Sequence, residues 1–153
     1  MAKEQIRETT AGDAAVDGLL AGGMAGVLMA VYLTVAGLTW GDGIGATLGR
    51  FDPGGTANPV VGVIAHLAVS GVYGALFGVG WRLASRARLW PRLLAYAWPG
   101  GLAYGLALWG LAAAVFLPGA ASALRAIPPL HFTVAHIVYG LALGFGLSMR
   151  HHE

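Results

Sequence analysis

Residues 59–81 read PVVGVIAHLAVSGVYGALFGVGW, and the reading of this stretch decides the fold. It contains no Asp, Glu, Lys or Arg. It begins with a proline, which suits the first turn of a helix because the missing N–H has no intrahelical partner there. At about 1.5 Å per residue it is long enough to cross a hydrocarbon core about 30 Å thick, for which about 20 apolar residues suffice. A soluble helix of this length would carry a polar stripe at helical period, and this one does not. Residues 18–40, 93–117 and 129–149 have the same character. Four such stretches predict an all-α polytopic membrane protein, a four-helix bundle in one membrane domain. A transmembrane barrel would need at least about eight strands of alternating character, and no such alternation is present.

The composition agrees. Hydrophobic residues make up 57% of the 153 and charged residues 10%, against roughly 25% charged in a soluble domain. Mean hydropathy is +0.69. Glycine is abundant, at 25 residues, which suits helices whose backbones approach closely in lipid. With no cysteine, disulfides, thiolate metal sites and cysteine nucleophiles are excluded. The pI near 9.3 reflects a surplus of two charges. The arginines cluster in one short connection instead of along a groove, so no nucleic-acid partner is expected. Arginine supplies all but one of the basic residues, and Ala, Gly and Leu are in excess. This composition hints at a GC-rich bacterial genome and thus at the plasma (inner) membrane.

Orientation follows from the basic residues. Lys3 and Arg7 precede the first span, Arg82, Arg86, Arg88 and Arg92 lie between the second and third, and Arg150 ends the fourth. These share one side of the membrane, while Arg50 and Arg125 lie on the other. The expectation is that both termini are cytoplasmic. Trp40, Trp81 and Trp90 fall near span ends, where amphipathic rings favour the interface. A signal peptide fits the first span poorly, since a long polar segment precedes it and the apolar run is too long. Residues 1–17 are expected to be a polar, frayed or surface-lying lead-in, and 151–153 a short tail.

The two halves resemble each other. Gly22-Gly23-Met24-Ala25 aligns with Gly100-Gly101-Leu102-Ala103, and Leu28 with Leu106. Pro59 precedes His66 by the same interval as Pro129 precedes His136, and Gly74 and Gly144 lie equally far beyond. Two repeated helical hairpins would place His66 and His136 at one depth, about 10 Å inside the outer helix ends, on diagonal helices facing the bundle centre. Ionisable groups inside a membrane point to function. Two such imidazoles suit bis-histidine ligation of haem b or a metal ion. Alternatively, each bonds a backbone carbonyl, a hydroxyl or a water and ties helices together. Tyr73 and Tyr139 follow the histidines on roughly the same faces, as supporting partners or as packing. His131 is expected near the outer interface, exposed to water.

The first outer connection, GDGIGATLGRFDPGGTANP, is the longest. Gly41-x-Gly43-x-Gly45 lacks the strand and βαβ context of a nucleotide loop. Asp42 and Asp52 suit turn chemistry, or cation binding or partner docking, and the length leaves room for a short helix. Pairs such as Gly18/Gly22, Gly74/Gly78, Gly101/Gly105 and Gly140/Gly144 favour close helix packing or a homodimer. Arg82, Arg86, Arg88 and Arg92 are placed to meet anionic lipid headgroups. No membrane-embedded carboxylate relay, HExxH, GxSxG or acid-oriented Ser/His pair is present; Ser70 follows His66 by one turn without an acid. Enzymatic activity is not expected.

The glycine-rich first span, the run from His66 to Tyr73, the His136-x-x-Tyr139 pattern and a Trp-led third span followed by Pro118, Pro128 and Pro129 resemble small bacterial inner-membrane proteins of the YagU-like group. The resemblance covers most of the chain, although the outer loops here are shorter. It implies an inner-membrane bundle and no particular activity, as none is established for the group. Sequence reasoning therefore ranks three roles. First comes a non-catalytic accessory or scaffold subunit of a membrane assembly. A haem- or metal-binding redox protein built on His66 and His136 is second, and a small oligomeric transporter or channel third.

Overall fold

The computed structural model describes residues 10–87, 96–118 and 123–150. Helix α1 spans Ala11–Thr39, the short α2 Ile44–Gly49, α3 Pro59–Arg86, α4 Ala97–Leu111 and α5 Pro129–Arg150. A π-helical turn, Ala112–Phe116, continues α4, and a 3-10 turn, Ala123–Ala126, precedes α5. No strand occurs among the described residues. Four helices are long and apolar enough to cross a membrane, and the protein is an all-α, four-helix integral membrane bundle.

The ends of the helices follow from local chemistry. Thr10 and Asp13 form a reciprocal capping box, with Asp13 N–H on Thr10 Oγ1 at 3.1 Å and Thr10 N–H on Asp13 Oδ2 at 2.7 Å, which satisfies two orphan donors of the first turn. The lead-in expected over 1–17 is therefore helical from Ala11, and Ala14 is already buried, against Gly78 of α3. At α3, Asn58 Oδ1 accepts from the N–H groups of Val60 (3.0 Å) and Val61 (3.3 Å), with Pro59 opening the helix. That helix runs on to Arg86, beyond the expected end at Trp81. Of the expected third span, 93–95 lie outside the described residues, as do Lys3, Arg7, Arg88, Trp90, Arg92 and the tail 151–153.

The helices run up-down-up-down. Glycines let α1 and α3 meet backbone to backbone: a Cβ on Gly74 would lie 2.5 Å from the Gly22 Cα. The α4–α5 hairpin is built the same way, and a Cβ on Gly101 would lie 2.8 Å from the Gly144 Cα. Gly22 faces Ser70 O and Gly74, while Gly101 faces Gly140 O and Gly144. The residue in the position of Gly22 is thus Gly101, one further along than the sequence alignment to Gly100. Gly100 turns instead toward the Trp81 ring. The hairpins join where α1 packs on α5, around the fully buried Leu33, Leu143 and Leu147. By contrast α3 and α4 barely touch, leaving a seam between the hairpins. Helix α2 folds back under the α1–α3 end, with Thr47 over Gly37 and the Leu48 carbonyl over Gly62.

Candidate functional site

At the loop end of the bundle, the seam widens into a cleft of about 810 Å³. Helix α3 contributes His66, Val69, Ser70 and Tyr73; α5 contributes Phe132, His136 and Tyr139; Leu108, Leu111 and Ala112 close the α4 side. Residues 50–55 of the first loop lie across the mouth. Ala112 accepts the N–H of Leu117 at 3.0 Å, five residues on, so α4 widens into its π turn where it lines the cleft. Such bulges are frequent at functional sites.

Two hydrogen bonds make the floor. The Tyr139 hydroxyl donates to Ser70 O at 2.7 Å, and the Tyr104 hydroxyl donates to Tyr73 O at 2.9 Å. Beyond them the Phe77 ring packs between Tyr104 and Trp81, at 5.1 and 5.7 Å between centroids. The cleft is thus closed at mid-bundle and open toward the loop end. It also opens sideways, because Val69 and Leu111 on either side of the seam are 52% and 44% exposed.

His66 and His136 both line this cleft. Their hydrogen bonds differ. His66 Nε2–H donates to Gly26 O of α1 at 3.0 Å, whereas His136 Nδ1–H donates to Phe132 O of its own helix at 2.8 Å. A carbonyl only accepts, so these bonds fix the tautomers and leave one lone pair on each ring, Nδ1 of His66 and Nε2 of His136. Phe51 covers the His66 ring at 4.5 Å and Phe132 the His136 ring at 4.6 Å. Of the expected supporting residues, Tyr73 lines the wall and Tyr139 builds the floor. His131 does neither. It is half-buried against Trp40, with ring centroids 4.8 Å apart, and shares a 2.9 Å hydrogen bond with the Tyr32 hydroxyl. The cause is that Tyr32 of α1 and Trp40 at its C-terminal cap lie over the first turn of α5.

At the mouth, Asp52 is a turn residue. Its carboxylate accepts from Gly54 N–H (2.8 Å), Thr56 N–H (3.1 Å), Thr56 Oγ1 (2.6 Å) and Asn58 N–H (3.1 Å). These bonds, the Thr56 hydroxyl's first, hold its pKa below the usual carboxylate value. Asp42 accepts from Trp40 Nε1 at 2.8 Å and pairs with Arg50 Nη2 at 2.6 Å. Arg125, the other basic residue of this end, is spent on the carbonyls of Leu117 and Pro118 beyond α4. Arg82 and Arg86 lie in the last turns of α3, at the opposite end from the cleft. Among the described residues, no three His, Asp or Glu side chains converge as a metal site.

Sequence reasoning missed Arg50, Phe51 and Tyr104. Tyr104 had a visible signal, a hydroxyl in mid-span that must find an acceptor in lipid. Phe51 and Arg50 had none, because loop position is set by how α2 folds back. No protein-family model, curated protein or solved structure matches the chain.

Proposed function

We propose that this protein binds a predominantly apolar small molecule, taken from the bilayer, in the cleft between its two hairpins. The observation that carries the reading is the cleft itself. Its volume of about 810 Å³ lies within the range of about 300–1,000 Å³ of small-molecule sites, and its apolar walls with a few converging polar groups have the same character. An accessory or scaffold subunit, ranked first from the sequence, needs no such space. The closed floor argues for a binding site over a through-pore, and the lateral seam offers membrane-dissolved molecules a route in. Two hairpins from one duplicated unit account for the matched glycine contacts. The excess of basic residues at the other end supports a reading in which both termini are cytoplasmic and the cleft faces outward.

The test is retention. Protein purified in mild detergent should carry a bound molecule recoverable by solvent extraction and mass spectrometry. Ala65→Trp, which fills the wall beside His66, should lose it without lowering the thermal midpoint. Wild-type protein free of any such molecule, or full retention in Ala65→Trp, would sink the reading.

One observation favours a second reading, bis-imidazole ligation of haem b or a metal ion. Each imidazole already holds its N–H on a backbone carbonyl, the arrangement that metal-bound histidines adopt. A Soret band lost on His66→Ala would select it; a colourless, metal-free preparation would remove it.

A further inference from the structure

The guanidinium of Arg50 carries more hydrogen-bonding capacity than the protein uses. Nη2 pairs with Asp42 at 2.6 Å. Nη1 is buried, yet among the described residues it has no acceptor. The Arg50 side chain is 16% exposed and lines the mouth of the cleft. A buried guanidinium N–H without an acceptor is costly, because desolvation of a charged donor is not offset. Neighbouring acids do not relieve it. Asp42 is engaged through Oδ2, shared with Trp40, and Asp52 has turned both oxygens to Gly54, Thr56 and Asn58. Arg125, the comparable cation of this end, has committed its guanidinium to backbone carbonyls.

From this we infer that the Arg50 guanidinium at the cleft mouth receives the acidic oxygen head of a single-chain amphiphile, with Nη1 turning out of its buried position to take it. A guanidinium offers donors along separate edges, so one edge can stay on Asp42 while another takes a second anion. The head sits at the mouth, level with the end of the bundle. The chain lies against Val69, Leu108 and Leu111 and leaves by the α3–α4 seam into lipid. This rests on the cleft being a ligand site and names the class of ligand. The shared chemistry is an anionic oxygen on an acyl or alkyl chain, whether a fatty acid's carboxylate or a lipid-derived phosphate monoester.

Isothermal titration of the full-length protein in alkyl maltoside with oleate, dodecyl phosphate and oleyl alcohol separates the possibilities. The expected result is that at least one acid binds about tenfold or more tightly than the alcohol, a factor corresponding to about 1.4 kcal/mol. Whichever acid binds better identifies the source of the head. Arg50→Gln should bring the acids to the level of the alcohol and leave the alcohol unchanged. Because Arg50→Gln also removes the pair with Asp42, Arg50→Lys provides the second variant. It keeps a charge for Asp42 but lacks the second edge, so it should retain the thermal midpoint and still lose the preference for acids. Equal binding of acid and alcohol by the wild type overturns the proposal and spares the cleft reading, as does an acid preference surviving both variants. Binding of none of the three probes overturns both.

Discussion

At Ala57 the backbone takes φ +54°, in the left-handed region that side chains disfavour. The position is over-determined: the Asp52 carboxylate collects the N–H groups on either side of it, and Gly49 packs on its backbone. Ala57→Gly should raise stability by about 0.5–1 kcal/mol, after the entropy cost of the added glycine, read as a higher thermal midpoint in detergent. Asp52 organises the same loop, and Asp52→Asn replaces an acceptor with a donor facing Thr56 and Asn58. The variant should melt lower than wild type at neutral pH. A carboxylate with a depressed folded pKa stabilises above its unfolded value of 3.8 and loses that contribution as pH falls through the folded value. The gap between the two midpoints should therefore be full at pH 6 and narrow below pH 3.8. At this scale the sequence located His66 and His136 along their helices, because a proline opens each one. It did not show their acceptors, which depend on which way each ring turns.

Among the elements, the hairpins stand on glycine contacts. Gly74→Val and Gly140→Val would each drive a side chain into the opposing backbone. Overpacking of this kind costs about 1–3 kcal/mol where neighbours can move, and helix backbones yield least. Both variants should lose at least about 2 kcal/mol in equilibrium unfolding with sodium dodecyl sulfate. Gly23→Ala meets nothing within 4 Å and should be neutral or stabilising by up to about 1 kcal/mol. Equal effects in all three would mean that the glycines serve helix flexibility instead of close approach. Hydropathy located these helices well, since lipid demands long apolar runs. Their ends were harder to place: the first depended on the Thr10–Asp13 capping box. Gly100 and Gly101 look alike in sequence, yet Gly101 packs on α5 and Gly100 on the Trp81 ring. Only the neighbouring helix distinguishes them.

For the whole molecule, the cysteine-free chain offers a direct test of orientation. A membrane-impermeant maleimide should label Pro53→Cys in intact cells and Ser85→Cys only after permeabilisation. The reverse pattern would invert the bundle and turn the cleft toward the cytoplasm. The sequence by itself determined four spanning helices, because the bilayer leaves an uncharged run of this length no other way to satisfy its backbone. It also set a histidine seven residues beyond the proline that opens each of α3 and α5. The tertiary structure alone decided that these histidines share a cleft and that Arg50 reaches its mouth. Those outcomes depend on how each helix is rotated about its axis and on which pairs pack, and in lipid that choice is made by glycine contacts and a few hydrogen bonds, which a nearly uniform apolar sequence does not encode in its pattern.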